Sequence, residues 1–160
     1  MDKEQGVLYG DFLRIIEELT DTAHSIARIE EEKAVALAQR QHERLEGFIK
    51  KEQACILKLQ GLDQHRIRSA RRLGWDPQDL SQILEQVDPV QREQLKRLFD
   101  GLEQELKRLW RSKEAAKRML DVRVYELFIT VEREAGIPYD RARRVDLDGF
   151  PYTKLCDRYG

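Results

Sequence analysis

The longest helical pattern in the chain covers residues 89–135, which read PVQREQLKRLFDGLEQELKRLWRSKEAAKRMLDVRVYELFITVEREA. Asp88 and Pro89 form a helix-start signal, and Gly136 followed by Pro138 ends the pattern. Apolar side chains recur at alternating intervals of three and four residues, which is typical of one packed face of a helix. At 1.5 Å per residue this helix is roughly 70 Å long. We therefore predict an elongated protein.

Two further helical patterns precede this one, and they are out of register with each other. Residues 8–38 carry one three-four seam, and residues 42–73 carry a second seam whose register is shifted. We expect a break or short turn near residues 38–44; one continuous helix through this point is the alternative. Residues 1–36 have a net charge of −5 and residues 37–74 have +5, which favours antiparallel pairing of the two helices.

A short helix is predicted between the second and the last long helix. Gly74 suits a left-handed helix C-cap, and Asp76 followed by Pro77 suits a helix start. We predict an all-α fold: an elongated antiparallel helical hairpin in a three-long-helix bundle, with a short connecting helix and an extended C-terminal tail. The bundle domain is expected over 1–136, with the tail over 137–160 and helices at about 8–38, 42–73, 77–86 and 89–135.

The overall composition narrows the class of protein. Of 160 residues, 37% are charged and 41% are hydrophobic, with only 9 Gly and 4 Pro, too few turn residues for an all-β fold. The formal charge of −1 argues against a strongly basic nucleic-acid binder. No apolar run is long enough for a transmembrane helix. Two cysteines, Cys55 and Cys156, fit a cytoplasmic location.

Signatures of catalysis are absent from the sequence. It contains no Gly-rich nucleotide loop and no GxSxG, HExxH or CxxC motif, so we expect no enzymatic activity, no metal and no cofactor. Asp21 and His24 lie one helical turn apart, but a bundle metal site needs that spacing twice. The basic residues 66–72 could contact nucleic-acid phosphates or an acidic partner. The alternative is that these cations simply favour a helix C-terminus.

The end of the last helix carries an apolar stripe that is broader than one neighbouring helix usually covers. The stripe is either intramolecular core or a groove that accepts an amphipathic helix from a partner. The aromatic side chains in the tail are candidates for docking, or they fold back onto the helices. The candidate binding residues on the last helix are Leu106, Leu109, Trp110, Met119, Leu120, Val124, Leu127, Phe128 and Val131, and those in the tail are Tyr139, Phe150 and Tyr152.

Several stretches, taken in order, resemble one known family. The first helix contains LRIIEELTDTAHSIARIEEEKAVAL and the second contains LEGFIKKEQACILKLQGLDQHRIRSARRLGW; a short linker helix, a long final helix and a Tyr-containing tail follow. In this order the chain resembles the flagellar export chaperones of the FlgN type. The positions of the second helix that carry the resemblance are Glu52, Leu57, Leu59, Leu62, Arg66, Leu73 and Gly74.

The resemblance implies a cytoplasmic, non-enzymatic chaperone without a cofactor. Its expected partners are the hook-associated proteins of the hook–filament junction, whose amphipathic terminal helices would bind the stripe on the last helix. The export gate is a second expected partner, contacted by Tyr139, Phe150 and Tyr152, and the export ATPase complex is a further candidate. No nucleic acid, no membrane insertion and a monomer or weak dimer are expected. The alternatives are a self-associating coiled-coil adaptor without flagellar cargo, or a helical nucleic-acid-associated protein.

Overall fold

The computed structural model describes residues 2–135 and consists of four α-helices joined by short turns. The described residues contain no β-strand, and the predicted all-α class is confirmed. The predicted tail over 137–160 lies outside the described residues. The helices are α1 (Lys3–Ala38), α2 (Leu45–Arg72), α3 (Leu80–Gln86) and α4 (Pro89–Ala135).

The central helix of the bundle is α1, because both other long helices pack against it. After the turn, α2 returns antiparallel to α1 and forms the expected hairpin. In contrast, α4 runs parallel to α1. Tyr9 near the start of α1 donates to Gln94, and the carbonyl of Leu37 near its end accepts from Arg123. Within residues 2–135 the backbones of α2 and α4 do not come into close contact, although side chains of both helices belong to one core.

The break between α1 and α2 lies where the shift in register predicted it. Arg40 has a φ angle of 57°, in the left-handed region, and reverses the chain. The amide of Gln41 donates to the carbonyl of Ala36 at 2.8 Å, which satisfies one of the last carbonyls of α1. A 3-10 turn at His42–Arg44 then leads into α2. The two helices are therefore separate.

A buried arginine holds the connection from α2 to α3. Gly74 has a φ angle of 78°, a conformation that glycine adopts without steric cost. The side chain of Arg66 is buried, and its Nε donates to Asp63 Oδ1 at 2.9 Å. Its Nη1 donates to the carbonyl of Pro77 at 2.8 Å, beyond the helix end. Arg66 therefore fixes the path of the linker.

The short helix α3 starts later than predicted. Asp76 was expected to cap a helix from residue 77, but its carboxylate accepts from the amide of Gln78 in a turn. The helix begins at Leu80, and Asp79 is its N-cap, accepting from the amide of Gln82 at 3.0 Å. Two Asp residues three positions apart both offer a cap, and the contact between Pro77 and Arg66 holds residues 76–78 outside the helix.

The core is centred on aromatic side chains from three elements. Phe12 of α1 is fully buried and meets Trp75 edge-to-face, with 5.2 Å between ring centroids, and Phe99 of α4 at 6.3 Å. Such pairs stabilise by about 0.5–1.5 kcal/mol beyond their buried area. The indole therefore pins the α2–α3 linker onto α1 and α4. The rest of this core includes Ile16, Leu19, Ile26, Leu59, Ile83, Leu95 and Leu102.

Candidate protein-binding site

The apolar seam of α4 divides into two parts that differ in burial. We call residues 95–116 the proximal segment and residues 119–131 the distal segment. Along the proximal segment the seam faces α1 and is buried. No side chain of the distal segment is buried among the described residues. The buried side chains of the proximal segment are Leu95, Phe99, Leu102, Leu106, Leu109, Ser112, Lys113 and Ala116.

The change occurs where α4 passes the end of α1. The guanidinium of Arg123 donates to the carbonyl of Leu37 at 2.7 Å and to that of Ala38 at 3.0 Å. These are among the last carbonyls of α1, which lack partners within their own helix. A cation at a helix C-terminus is also favoured by the helix dipole. Beyond Arg123, α4 continues for 12 residues, roughly 18 Å, with no part of α1 beside it.

The distal segment is apolar on more than one side. Nine of its 13 residues are apolar, in the stretch MLDVRVYELFITV. Leu127 is 58% exposed and Val131 is 49% exposed on the line of the seam, while Val122 and Tyr125, on other faces, are 49% and 44% exposed. A helix that is apolar around most of its circumference is normally enclosed by other elements. Residues 2–135 do not enclose it.

The structure distributes the nine candidate residues of α4 between core and surface. Leu106 and Leu109 belong to the intramolecular core, which corrects their assignment to an exposed groove, because α1 covers them. Trp110 is on the surface and half-exposed, with the ammonium of Lys113 at 5.1 Å from the ring centroid. The partly buried candidates are Met119, Leu120, Val124 and Phe128, and the exposed ones are Leu127 and Val131. The tail candidates Tyr139, Phe150 and Tyr152 lie outside the described residues.

The sequence reasoning missed two members of this surface. Val122 and Ile129 add to the apolar area but lie off the three-four seam, so a search for one packed face passes over them. Their signal is the local density of apolar residues rather than their spacing. Ile129 and Leu127 also line a groove against the α1–α2 turn, opposite Arg40 and His42.

A polar network locks the proximal segment onto α1. Arg108 donates two hydrogen bonds to the carboxylate of Glu31, each at 3.0 Å, and its Nη1 lies 2.9 Å from Nδ1 of His24. The same ring nitrogen lies 3.2 Å from Glu105 Oε1. The hydrogen bonds from Arg108 hold the pKa of the Glu31 carboxyl below its usual range. His24 is thus part of an interhelical network and not a partner of Asp21.

A buried charged trio lies at the contact between α1 and α2. Lys33 Nζ is 3.0 Å from Glu30 Oε2 and 2.8 Å from Glu52 Oε2. Burial, together with the neighbouring carboxyl of Glu52, raises the pKa of Glu30 to about 8, so Glu30 holds a proton at neutral pH. Glu52 Oε1 is buried and without a hydrogen-bond partner among the described residues. A protonated Glu30 carboxyl can supply that hydrogen bond.

The other sequence candidates do not form a chemical site. Arg66 is buried in the linker contact, so it is removed from the basic segment proposed for nucleic acid. In residues 2–135 no group of three His, Cys, Asp or Glu side chains could hold a metal ion. No helix in the described part of the chain is long and apolar enough to cross a membrane.

The described residues define a class: an all-α bundle whose last helix extends past the end of the helix that supports it. The family model described as FlgN protein matches residues 1–124. Because this match covers more than half of the chain, the chain belongs to the FlgN family of flagellar export chaperones. No curated protein and no solved structure matches the chain. The matched region ends at residue 124, one residue after Arg123, so it includes only the first part of the distal segment.

Proposed function

We propose that the chain is a cytoplasmic chaperone that binds the amphipathic terminal helices of hook-associated proteins on the distal segment of α4. Membership of the FlgN family supports hook-associated proteins as the cargo class. By covering their apolar faces, the chaperone would prevent premature self-assembly before export. The observation that supports this proposal most directly is the exposed apolar surface around Leu127 and Val131.

The physical fit is that of a helix laid against a helix. Cargo helices expose one apolar face until they assemble, and the distal segment, 13 residues or roughly 20 Å long, offers a complementary apolar stripe. The binding surface consists of Leu120, Val124, Leu127, Phe128 and Val131, extended by Val122 and Tyr125 and bordered by Trp110 and Met119. Leu106 and Leu109 support it from the core. Because this surface is short and partly polar at its edges, binding is reversible, which release at the gate requires.

Delivery to the export gate is assigned to the tail. Tyr139, Phe150 and Tyr152 supply aromatic side chains that can anchor in a pocket of a partner. The export gate is their proposed partner, with the export ATPase complex as a second one, and the chaperone acts as a monomer or weak dimer. Tyr139→Ala should weaken binding to the gate and leave cargo binding unchanged. Equal loss of both activities would contradict a separate role for the tail.

The test of cargo binding is co-purification with each hook-associated protein, full length and with its terminal helices removed. A Leu127→Ser, Val131→Ser double variant should lose the full-length cargo. A Val7→Ser, Val90→Ser double variant is the matched control, because these two valines are also exposed but lie far from the distal segment. Retention by the first variant, or loss by both, would contradict the assignment.

Self-association is the competing outcome of the same experiment. If no hook-associated protein is retained at low or high salt, light scattering should be measured on the chain alone. A stable dimer that the Leu127→Ser, Val131→Ser variant disrupts would assign the distal segment to contact between two copies of the chain. That result would favour the coiled-coil adaptor over the chaperone reading of the surface.

A further inference from the structure

The outer face of α2 has an excess of positive charge. Its one exposed carboxylate is Glu46, and that group already pairs with Lys50 at 3.1 Å. The two other carboxylates of the helix, Glu52 and Asp63, are buried, and so is one of its cations, Arg66. Six exposed cations therefore face one exposed anion. The six are Lys50, Lys51, Lys58, Arg68, Arg71 and Arg72.

Most of these cations have no partner within the described part of the chain. The side chains of Lys51, Lys58 and Arg68 form no ion pair or hydrogen bond with residues 2–135, and the same holds for the side chains of Arg71 and Arg72. On α4, by contrast, several exposed carboxylates lie one turn from exposed cations, and some of those cations are paired, as in Arg97 with Glu93 and Lys107 with Glu103. The positive charge on α2 is therefore available to a partner.

Three of the cations lie in a line along the helix. Lys51, Lys58 and Arg72 fall on one seven-residue repeat, with His65 at the position between the last two, so they follow one edge of the exposed face for roughly 30 Å. Such a repeat is typical of the flanking positions of a helix that packs against another helix.

The centre of the same face is small and apolar. Ala54, Leu57 and Gly61 follow the three-four spacing of a helix contact, and all three are exposed. Leu57 is 69% exposed, the highest value in α2 for a large apolar side chain. A Cβ atom built on Gly61 meets nothing within 4 Å, so another backbone can approach closely there. The face thus combines an apolar centre with cationic edges.

We propose that this face of α2 binds an acidic amphipathic helix of a partner protein. The partner's carboxylates would lie opposite Lys51, Lys58 and Arg68, and a short apolar stretch would pack on Leu57 beside Gly61. Charge complementarity along two parallel or antiparallel helices sets both register and partner choice. The proposal does not rest on the cargo site, because the backbones of α2 and α4 make no close contact and the two surfaces share no residue.

Two other anionic partners fit the face less well. Single-stranded nucleic acid is held by aromatic stacking, and the aromatic residue of α2, Phe48, is buried. A membrane-surface helix needs a broad apolar face, whereas Leu57 and Ile49 are the two large exposed apolar side chains of α2. The formal charge of −1 for the whole chain also gives no general attraction to polyanions.

The test measures binding of the full-length chain to a designed acidic helical peptide of about 20 residues, roughly 30 Å long. The peptide places Glu at i, i+4 and i+7 around a Leu–Ala stripe, and a scrambled peptide of the same composition is its control. A Lys51→Glu, Lys58→Glu, Arg68→Glu variant should bind the peptide about tenfold more weakly or worse, because three attractive exposed pairs with the peptide become like-charge repulsions. The cations of the last turn are left intact to preserve the helix end.

The matched control is a Lys96→Glu, Arg111→Glu, Arg118→Glu variant, which makes the same change in charge on exposed positions of α4. It should bind the peptide as the unmodified chain does. Circular dichroism of each variant checks that the bundle is folded. A second pair of variants keeps the charge constant: Gly61→Leu should weaken binding by adding bulk at the contact, and Gly10→Leu on α1 should not.

The result that supports the proposal is selective, salt-sensitive binding of the amphipathic peptide, lost in the α2 variant and in Gly61→Leu. Equal binding of the scrambled peptide, or equal loss in the α4 control, would overturn it. Tighter binding to phosphatidylserine vesicles or to single-stranded DNA would assign the face to lipid or nucleic acid instead. Cargo retention by Leu127 and Val131 is measured in a separate experiment. Failure of the peptide test would therefore not contradict the proposed cargo site.

Discussion

The proximal and distal segments of α4 share one seam and differ in what lies beside it. Leu109 and Leu127 are both seam residues, yet Leu109 is completely buried and Leu127 is 58% exposed. The local sequence does not account for this difference, because both segments have three-four spacing. The length of the neighbouring helix does, since α1 ends at Ala38 and α4 continues beyond Arg123. An apolar seam shows that a helix has a packing face, and the partner helix decides whether that face is filled.

The largest difference between the two segments should appear in stability. Leu109→Ala should lower the free energy of unfolding by about 2–5 kcal/mol, because it removes buried methyl groups and leaves a cavity. Leu127→Ala should lower it by less than about 1 kcal/mol, because most of that side chain is already in water. Urea denaturation of both variants provides the measurement. Similar decreases in the free energy of unfolding for the two variants would show that the distal segment is covered.

A pH dependence should come from the buried part of the bundle, in the α1–α2 contact. The pKa of Glu30 is about 8 in the folded chain and 4.5 is the value for an unburied Glu, so the folded state binds the extra proton between these values. Stability therefore falls as pH rises from about 5 to 8, by on the order of a few kcal/mol. Glu30→Gln should remove this slope in unfolding curves measured across that range.

The control for this pH effect is the neighbouring carboxyl of Glu31. The hydrogen bonds from Arg108 lower the pKa of Glu31. Its contribution to the free energy of unfolding is therefore present above the ordinary pKa of a Glu and is lost only as pH falls below that value. Glu31→Gln should leave the slope between pH 5 and 8 unchanged. A flat profile for the unmodified chain would contradict the buried, protonated state of Glu30.

The boundary between the segments should depend on Arg123. Arg123→Ala removes two hydrogen bonds to the last carbonyls of α1 and should cost about 1–3 kcal/mol of stability. Hydrogen exchange should then rise in the last turn of α1 and in the distal segment. Arg118→Ala, at an exposed position one and a half turns earlier, should change neither. If both variants behave alike, α4 is not anchored at this point.

The smallest effect on the isolated chain is expected at the outer end of the distal segment. Val131→Ser should change the free energy of unfolding by no more than about 0.5 kcal/mol, because the side chain is half in water. Its effect on retention of a hook-associated protein should be much larger than its effect on stability. The two measurements, unfolding and co-purification, need to be made on the same preparation. A large decrease in the free energy of unfolding for Val131→Ser would contradict the exposure of this surface.

Much of the architecture was predictable because it depends on local patterns. The seam register gave the break before residue 44, and Asp88 gave the start of α4, where its carboxylate accepts from the amide of Gln91 at 2.8 Å. The start of α3 was less predictable, because Asp76 and Asp79 carry equivalent capping signals. Only the contact between Arg66 and the linker separates them.

The exposure of the candidate site was predictable only in part. The density of apolar residues near the end of α4 predicted an open apolar surface there, and residues 2–135 leave Leu127 and Val131 exposed, while Leu106 and Leu109 were included because spacing alone carries no information on coverage. Arg66 was grouped with exposed cations for the same reason: a basic residue near a helix end is usually exposed, and here it turns inward to a carbonyl. Burial is a property of neighbours that are distant in sequence.

By itself the sequence determined the helices, their order and the opposite charges of the first two, because each depends on residues within a few turns of one another. It also determined the likeness to the FlgN family. Only the tertiary structure decided that α1 is central, that α4 runs parallel to it, and that α4 extends past the end of α1 at Arg123. These depend on how helices of unequal length align, and that alignment leaves the distal segment of α4 and the cationic face of α2 uncovered within residues 2–135.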